Sequence, residues 1–244
     1  MRIGLIGSGN MAGALARGWG DPVLATDHGS GRARALVAEI GGEAVSNREA
    51  TERAELLILG HKPAQLELVA AEIGEFARGI VVSIVAGASI AEVEDLYPHA
   101  TVFRVLPNTP VALRKGVLLF AQTDEEGAEP VKALFARVGT VIELPEKLMR
   151  VGNSISGVGP AYWALLAEAW TDSAIRHGMP APQAATLVRE TMAGTAALLN
   201  DTDTLALRRG VTSPGGTTAR GLNALEQGGV RAALANAMDA VVGA

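Results

Sequence analysis

The chain has 244 residues, 48% of them hydrophobic and 19% charged, which is enough apolar material to bury a core and too much for wholesale disorder. Its net charge of −5, from 21 Lys and Arg against 26 Asp and Glu, argues against a nucleic-acid binder, which needs a basic face to displace counterions. With no cysteine, disulfide staples, thiolate metal sites and cysteine nucleophiles are excluded, and the four histidines (28, 61, 99 and 177) lack the i, i+4 spacing of a helical metal site.

The first strand candidate, residues 2–6, is too short and too broken by glycine for a signal sequence, so a cytoplasmic location is expected. It runs into Gly7-Ser8-Gly9-Asn10-Met11-Ala12, which opens a helical pattern. This is the G-x-G-x-x-G/A dinucleotide fingerprint in its strand-to-helix setting. Gly7 allows the tight turn, Gly9 lets backbone approach a diphosphate, and Ala12 permits close helix–strand packing. A tight turn without ligand is the alternative. The second strand candidate, 22–26, is followed by Asp27, 20 positions after Gly7 in the sequence. A carboxylate there accepts both ribose hydroxyls of NAD, or else is a solvated turn residue before Gly29-Ser30-Gly31. His28, Ser30, Arg32 and Arg34 stand close enough in sequence to approach the 2′-phosphate of NADP, so both cofactors stay open.

Further strand candidates fall at 55–59, 80–84, 101–105, 117–121 and 140–144, with amphipathic helical stretches at 32–40, 64–76 and 125–138 among those between them. Such alternation predicts a doubly wound, Rossmann-type α/β domain over residues 1–145, with a parallel sheet covered by helices on both faces. The runs Leu56-Leu57-Ile58-Leu59 and Ile80-Val81-Val82-Ser83-Ile84 are apolar without alternation, as strands buried on both faces should be.

After Pro145 the character changes. Residues 146–244 read as an all-helical domain, with helices near 146–177, 181–199, 203–209, 215–228 and 230–242. The apolar run 155–167 is too short to span a bilayer, and no membrane partner is expected. The helix beginning Pro160-Ala161-Tyr162-Trp163 is apolar over most of its circumference, while about a hundred residues of helix alone make only a thin shell. Burial by a second subunit follows. At the start of the fourth helix, Ser213-Pro214-Gly215-Gly216-Thr217-Thr218 gathers N–H groups and three hydroxyls at the positive end of a helix dipole, a carboxylate cradle without Arg or Lys. An ordinary N-cap before a core helix is the equal alternative on these residues alone.

Several stretches together resemble pyrroline-5-carboxylate reductase over nearly the whole chain: His61-Lys62-Pro63, Val82-Ser83-Ile84-Val85-Ala86-Gly87, Arg104-Val105-Leu106-Pro107-Asn108-Thr109-Pro110, Ser156-Gly157-Val158-Gly159-Pro160-Ala161-Tyr162, and residues 211–222. The resemblance implies NAD(P)H-dependent reduction of the C=N bond of 1-pyrroline-5-carboxylate to L-proline, by a homodimer or an oligomer of dimers acting on a small molecule. Together with the fingerprint reading of Gly7, Gly9 and Asp27, it implies cofactor contacts from Ser8, Asn10, Met11, Asn47, His61, Lys62, Pro63, Ala86, Gly87 and Asn108. Substrate contacts are implied for Ser213, Gly215, Gly216, Thr217 and Thr218, with Thr218 hydrogen-bonding the ring nitrogen as the catalytic residue and one subunit's loop completing another's pocket. No metal is implied. Two positions depart from the family pattern: His61 replaces a valine, and Asp27-His28 replaces small polar and basic residues suited to NADP. The carboxylate favours NADH. Other readings are a related cyclic-imine reductase, a β-hydroxy-acid reductase and a non-catalytic dinucleotide sensor. The second needs a lysine in the helical half, which has only Lys147, and the third has no use for residues 213–218.

Overall fold

The computed structural model describes residues 1–243 and divides into two compact units, Met1–Val158 and Gly159–Ala244. The first carries strands β1 (Ile3–Ile6), β2 (Val23–Ala25), β3 (Gly42–Ala44), β4 (Leu56–Leu59), β5 (Gly79–Ser83), β6 (Ala100–Pro107), β7 (Gly116–Ala121) and β8 (Gly139–Leu144). Its helices are α1 (Asn10–Trp19), α2 (Arg32–Ile40), α3 (Asn47–Arg53), α4 (Leu66–Ile73), α5 (Ile90–Leu96), α6 (Ala128–Ala136) and α7 (Met149–Ser156). The strands form one eight-stranded sheet in the order β3-β2-β1-β4-β5-β6-β7-β8. The order reverses between β1 and β4, the switch point outside which open α/β sheets bind their ligands.

The uninterrupted apolar runs are buried on both faces. Leu56 and Ile58 of β4 join Leu5, Leu15, Trp19 and Phe103 in one core, while Leu57 and Leu59 join Val69, Ile73 and Tyr97 in the other. Within the first core, Trp19 meets Phe135 edge-on at 5.5 Å between ring centroids, and its indole N–H donates to the Leu134 carbonyl at 3.0 Å. The buried indole is therefore both packed and satisfied.

Three features differ from the sequence expectation. The sheet is not wholly parallel, because β6 pairs antiparallel with β7. The link between them is a single short 3₁₀ turn at Thr109–Leu113, too short for the crossover that parallel neighbours require. The edge strand β3 was not predicted, being three exposed residues, Gly-Glu-Ala, without apolar pattern or β-formers. Finally, the sheet unit continues past residue 145. Met149 of α7 is buried with Leu106, Leu119 and Ala121, so the change of character at 145/146 marks the end of the strands and the compact unit runs on to Val158.

The second unit is helical: α8 (Gly159–Arg176), α9 (Ala181–Leu198), α10 (Thr204–Gly210), α11 (Thr217–Gln227) and α12 (Val230–Val242). Here α8 packs on α9, and α11 on α12. The predicted helical stretch 146–177 is thus two helices, broken at Gly157-Val158. Among the described residues of these five helices, the buried side chains are only Ala184 and Val188. Trp163, Leu165, Trp170, Leu187 and Leu198 are more than half exposed within the single chain. No helix among the described residues is long and apolar enough to cross a membrane.

Candidate active site

Sequence-predicted residues of the first unit converge on one edge of the sheet, at the carboxyl ends of adjacent parallel strands. Gly7 follows β1, Asp27 follows β2, His61 follows β4, Ala86 and Gly87 follow β5, and Asn108 follows β6. The turn after β1 is fixed by Thr26, a residue the sequence reading passed over. Its hydroxyl accepts from the Gly7 N–H at 3.0 Å, and its carbonyl accepts from both the N–H and the hydroxyl of Ser8 at 2.9 Å. Gly7 has φ +95°, and a Cβ there would stand 3.1 Å from the His61 nitrogen. Close packing behind the turn depends on a second unpredicted position, Gly60, where a Cβ would fall 2.8 Å from that of Ala12. Glycine directly before His61-Lys62-Pro63 was the available signal.

Gly9 then caps α1 with no side-chain hydrogen bond, and the first turn of α1 holds no acidic residue. Asn10 is exposed and Met11 is partly packed against the core. The arrangement leaves room and N–H dipole for an anion, as a diphosphate requires.

Asp27 is anchored more firmly than a solvated turn residue. One carboxylate oxygen accepts from the Gly29 N–H and the other from the Ala33 N–H, each at 2.7 Å. The Ala33 N–H, at the start of α2, is the main cause holding its pKa below the ordinary carboxylate value, ahead of burial, which opposes. Asp27 lines a cavity of about 420 Å³ with Gly29, Gly31, Arg34 and Ser46. Of the basic residues that could meet a 2′-phosphate, Arg34 lines this cavity, while His28 is exposed on the loop before it.

The remaining contacts implied for the first unit have varied surroundings. The Asn47 amide, on α3, donates to Glu72 at 2.8 Å. Lys62 and Pro63 are exposed, and the Lys62 N–H donates to Gln65 at 3.2 Å. Ala86 and Gly87 form an open turn with Gly87 at φ +87°. Asn108 is buried: its amide donates to the Ser156 carbonyl at 3.0 Å and its oxygen accepts from the Val117 N–H at 2.8 Å. Its side chain clasps β6, β7 and α7 together.

In the second unit the 213–218 segment does open a helix. Gly216 is the N-cap of α11 without a side-chain cap, and its N–H donates to the Ser213 carbonyl at 3.1 Å. A Cβ on Gly216 would sit 2.4 Å from the Ser213 hydroxyl oxygen, and Gly215 has φ +69°. The positive φ favours glycine at 215, whereas a side chain at 216 would meet mainly the Ser213 hydroxyl, which can rotate. Ser213 and Thr217 are exposed, Thr218 is half-buried, and no acidic residue occupies the first turn. Three hydroxyls, of Ser213, Thr217 and Thr218, thus stand at or beside the positive end of the α11 dipole.

Residues 146–244 match the family described as pyrroline-5-carboxylate reductase dimerisation, and residues 2–87 match the family described as NADP oxidoreductase, coenzyme F420-dependent. The chain is 35% identical to the pyrroline-5-carboxylate reductase of Synechocystis sp., over 98% of this chain and 95% of that protein. It is 36% identical to the Mus musculus pyrroline-5-carboxylate reductase 3, over 98% and 93%. Among solved structures, that of a pyrroline-5-carboxylate reductase from Coxiella burnetii superposes with a TM-score of 0.86 at 27% identity, covering 99% of this chain and 96% of that one. The Plasmodium falciparum pyrroline carboxylate reductase with NADP bound superposes with a TM-score of 0.88 at 24% identity, covering 99% and 95%, a likeness of fold.

Proposed function

Because the chain belongs to the pyrroline-5-carboxylate reductase family, we propose that it reduces 1-pyrroline-5-carboxylate to L-proline with NADPH or NADH in the cytoplasm, as a homodimer. The observation that carries the reading is the 35% identity to a reductase of that name, which extends over both units rather than the dinucleotide turn alone. The reduced nicotinamide supplies a hydride for the imine carbon. The chain's own work is to hold the two partners within reacting distance, roughly 3–3.5 Å between the carbons.

The Gly7–Ala12 turn and the α1 N-terminus suit the cofactor diphosphate, since a Cβ at Gly7 would crowd His61 backbone and α1 carries no capping group of its own. Asp27 takes the adenosine ribose. Ser213, Gly215, Gly216 and Thr217 grip the substrate carboxylate through hydroxyls and N–H groups. Thr218 orients the ring nitrogen by a hydrogen bond. An iminium accepts hydride better than a neutral imine, but a threonine hydroxyl is a poor acid. Thr218 therefore relays and orients, with the proton drawn from solvent or brought by the substrate.

The test is turnover of chemically prepared pyrroline-5-carboxylate, followed by nicotinamide absorbance, with proline identified as the product. Absence of turnover with either cofactor would overturn the reading.

A further inference from the structure

Arg104 of β6 is a cation on an apolar face of the sheet. Its neighbours along that face of the strand, Val102 and Leu106, are buried in apolar cores, and its own side chain is only 11% exposed. Its Nη1 donates to Glu146 Oε1 at 2.8 Å, the glutamate standing just after β8, at the start of the 3₁₀ turn Glu146–Leu148. The same oxygen accepts from the Ile90 N–H, also at 2.8 Å. Ile90 is the first residue of α5, so its N–H is one of those that a helix cannot satisfy internally. Glu92, a carboxylate on α5 itself, is engaged with the N–H and the hydroxyl of Ser89, each at 2.7 Å. Apolar residues of similar volume commonly match so sheltered a charge pair in stability, which makes stability alone a poor reason for its presence.

Resting on the dinucleotide reading above, we propose that Glu146 is a positioning residue: held by Arg104, it fixes the start of α5 and thereby the Ala86–Gly87 turn that receives the nicotinamide half of the cofactor. The turn follows β5, and only Ala88 and Ser89 separate it from α5. Its shoulders, Val85 and Ala88, are buried, whereas Ala86 and Gly87 are exposed and nothing stands within 4 Å of a Cβ placed on Gly87. With no packing at the tip, the turn takes its place from the elements on either side. The sheet fixes β5 between β4 and β6, and Glu146 fixes the first residue of the seven-residue α5. The adenosine ribose belongs with Asp27 after β2, while β5 lies beyond β1 and β4, which sets the turn toward the nicotinamide end.

The experiment compares Arg104→Met/Glu146→Gln with Arg104→Met/Glu146→Leu in the full chain. Both lack the charge pair, and only the first keeps an acceptor for the Ile90 N–H. Each is titrated calorimetrically with NADPH, NADH and ADP, alongside thermal melts. The Leu variant is expected to bind the reduced cofactors about five- to tenfold more weakly than the Gln variant, and ADP, which has no nicotinamide half, equally well. Ile90→Pro probes the same bond from the donor side with both charges in place. Proline is accepted at the first helical position, and Ser89 before it is already extended at φ −78°, ψ 164°. Against Ile90→Val, which keeps the N–H, it should show the same selective loss, and it decides alone if the double variants do not fold. Equal Kd values for the reduced cofactors within either pair of folded variants would overturn the assignment. Weakening of ADP by the same factor would also overturn it, since the clasp would then prop the whole sheet edge and not this turn. Failure of wild type to bind any of the three would instead sink the dinucleotide reading itself.

Discussion

Thr218 sits on the first turn of α11, half-buried, with its hydroxyl at the positive end of the helix dipole. Thr218→Val keeps the shape and removes the donor, leaving a substrate acceptor unpaired at about 1–3 kcal/mol. The expected outcome is a ten- to hundredfold loss, roughly, in kcat/KM with cofactor Kd unchanged. Wild-type efficiency in the variant would remove Thr218 from the reaction. Asp27 carries a different expectation. With each oxygen fixed by a backbone N–H, the carboxylate cannot swing away from the ribose, yet it has lone pairs left to accept from both hydroxyls. A 2′-phosphate would meet it as a like charge, at roughly 4 kcal/mol for 4 Å and an effective dielectric of 20. Arg34 lines the same cavity, but an exposed ion pair returns only about 0–1 kcal/mol. NADH should therefore serve at least as well as NADPH, and Asp27→Asn should shift the ratio of their kcat/KM values toward NADPH. The ratio cancels any loop damage common to both. A tenfold preference for NADPH, unmoved by Asp27→Asn, would leave Asp27 as the clamp of its loop alone. The depressed carboxylate pKa also has a stability consequence. Its contribution is complete above the ordinary carboxylate range and lost as pH falls through the lowered value, so acid melts of Asp27→Asn should show a shallower decline there than wild type.

Strands and helices were readable where local chemistry matched tertiary need. Seven strands stand within two residues of their predicted spans; six hold apolar residues that the sheet buries, while the edge strand β8 has no buried residue and is covered only in part, through Val141 and Leu144. The eighth, β3, is held by pairing with β2 and not by any property of Gly-Glu-Ala, so nothing in the sequence announces it. The same divide runs through the candidate site. Gly7, Gly9 and Asp27 were legible because one turn and its flanking elements fix their roles. Thr26 and Gly60 were not, since the first acts through a hydroxyl reaching back to Gly7 and the second through a close approach to Ala12. Asn108 has a part in the fold that its motif did not announce. Both ends of its side chain are engaged within the fold, joining β6 to β7 and α7. Asn108→Ala strands the Val117 N–H and the Ser156 carbonyl, and is expected to lower stability by about 1–3 kcal/mol in urea unfolding, more than Thr218→Val does. Unchanged stability with a raised cofactor Kd would mean that Asn108 serves the cofactor and not the fold.

At the scale of the whole molecule, α8–α12 cannot be a finished structure in one chain. Two buried side chains, Ala184 and Val188, do not make a core for five helices, and apolar side chains lie open along them. Trp163 and Trp170 line an apolar cavity of about 490 Å³ with Met192 and Leu199. Burial of this surface between two copies would account for the apolar circumference of α8 and fits the match of residues 146–244 to a family described by dimerisation. The consequence is measurable through the three tryptophans. Trp19 is enclosed in the sheet unit, whereas Trp163 and Trp170 are 61% and 57% exposed in the single chain. In the proposed dimer the latter two should be shielded, so acrylamide should quench the native emission far less than single-chain exposure implies. Substituting Trp170→Glu should expose Trp163, shift sedimentation toward monomer and abolish turnover, because a charge buried without a partner is strongly destabilising to an interface. If the chain is an obligate dimer, folding and association are linked, and the wild-type Tm should also rise with protein concentration. A concentration-independent Tm, together with a fully active monomer in sedimentation at assay concentration, would mean that these helices are covered by something other than a second copy of the chain.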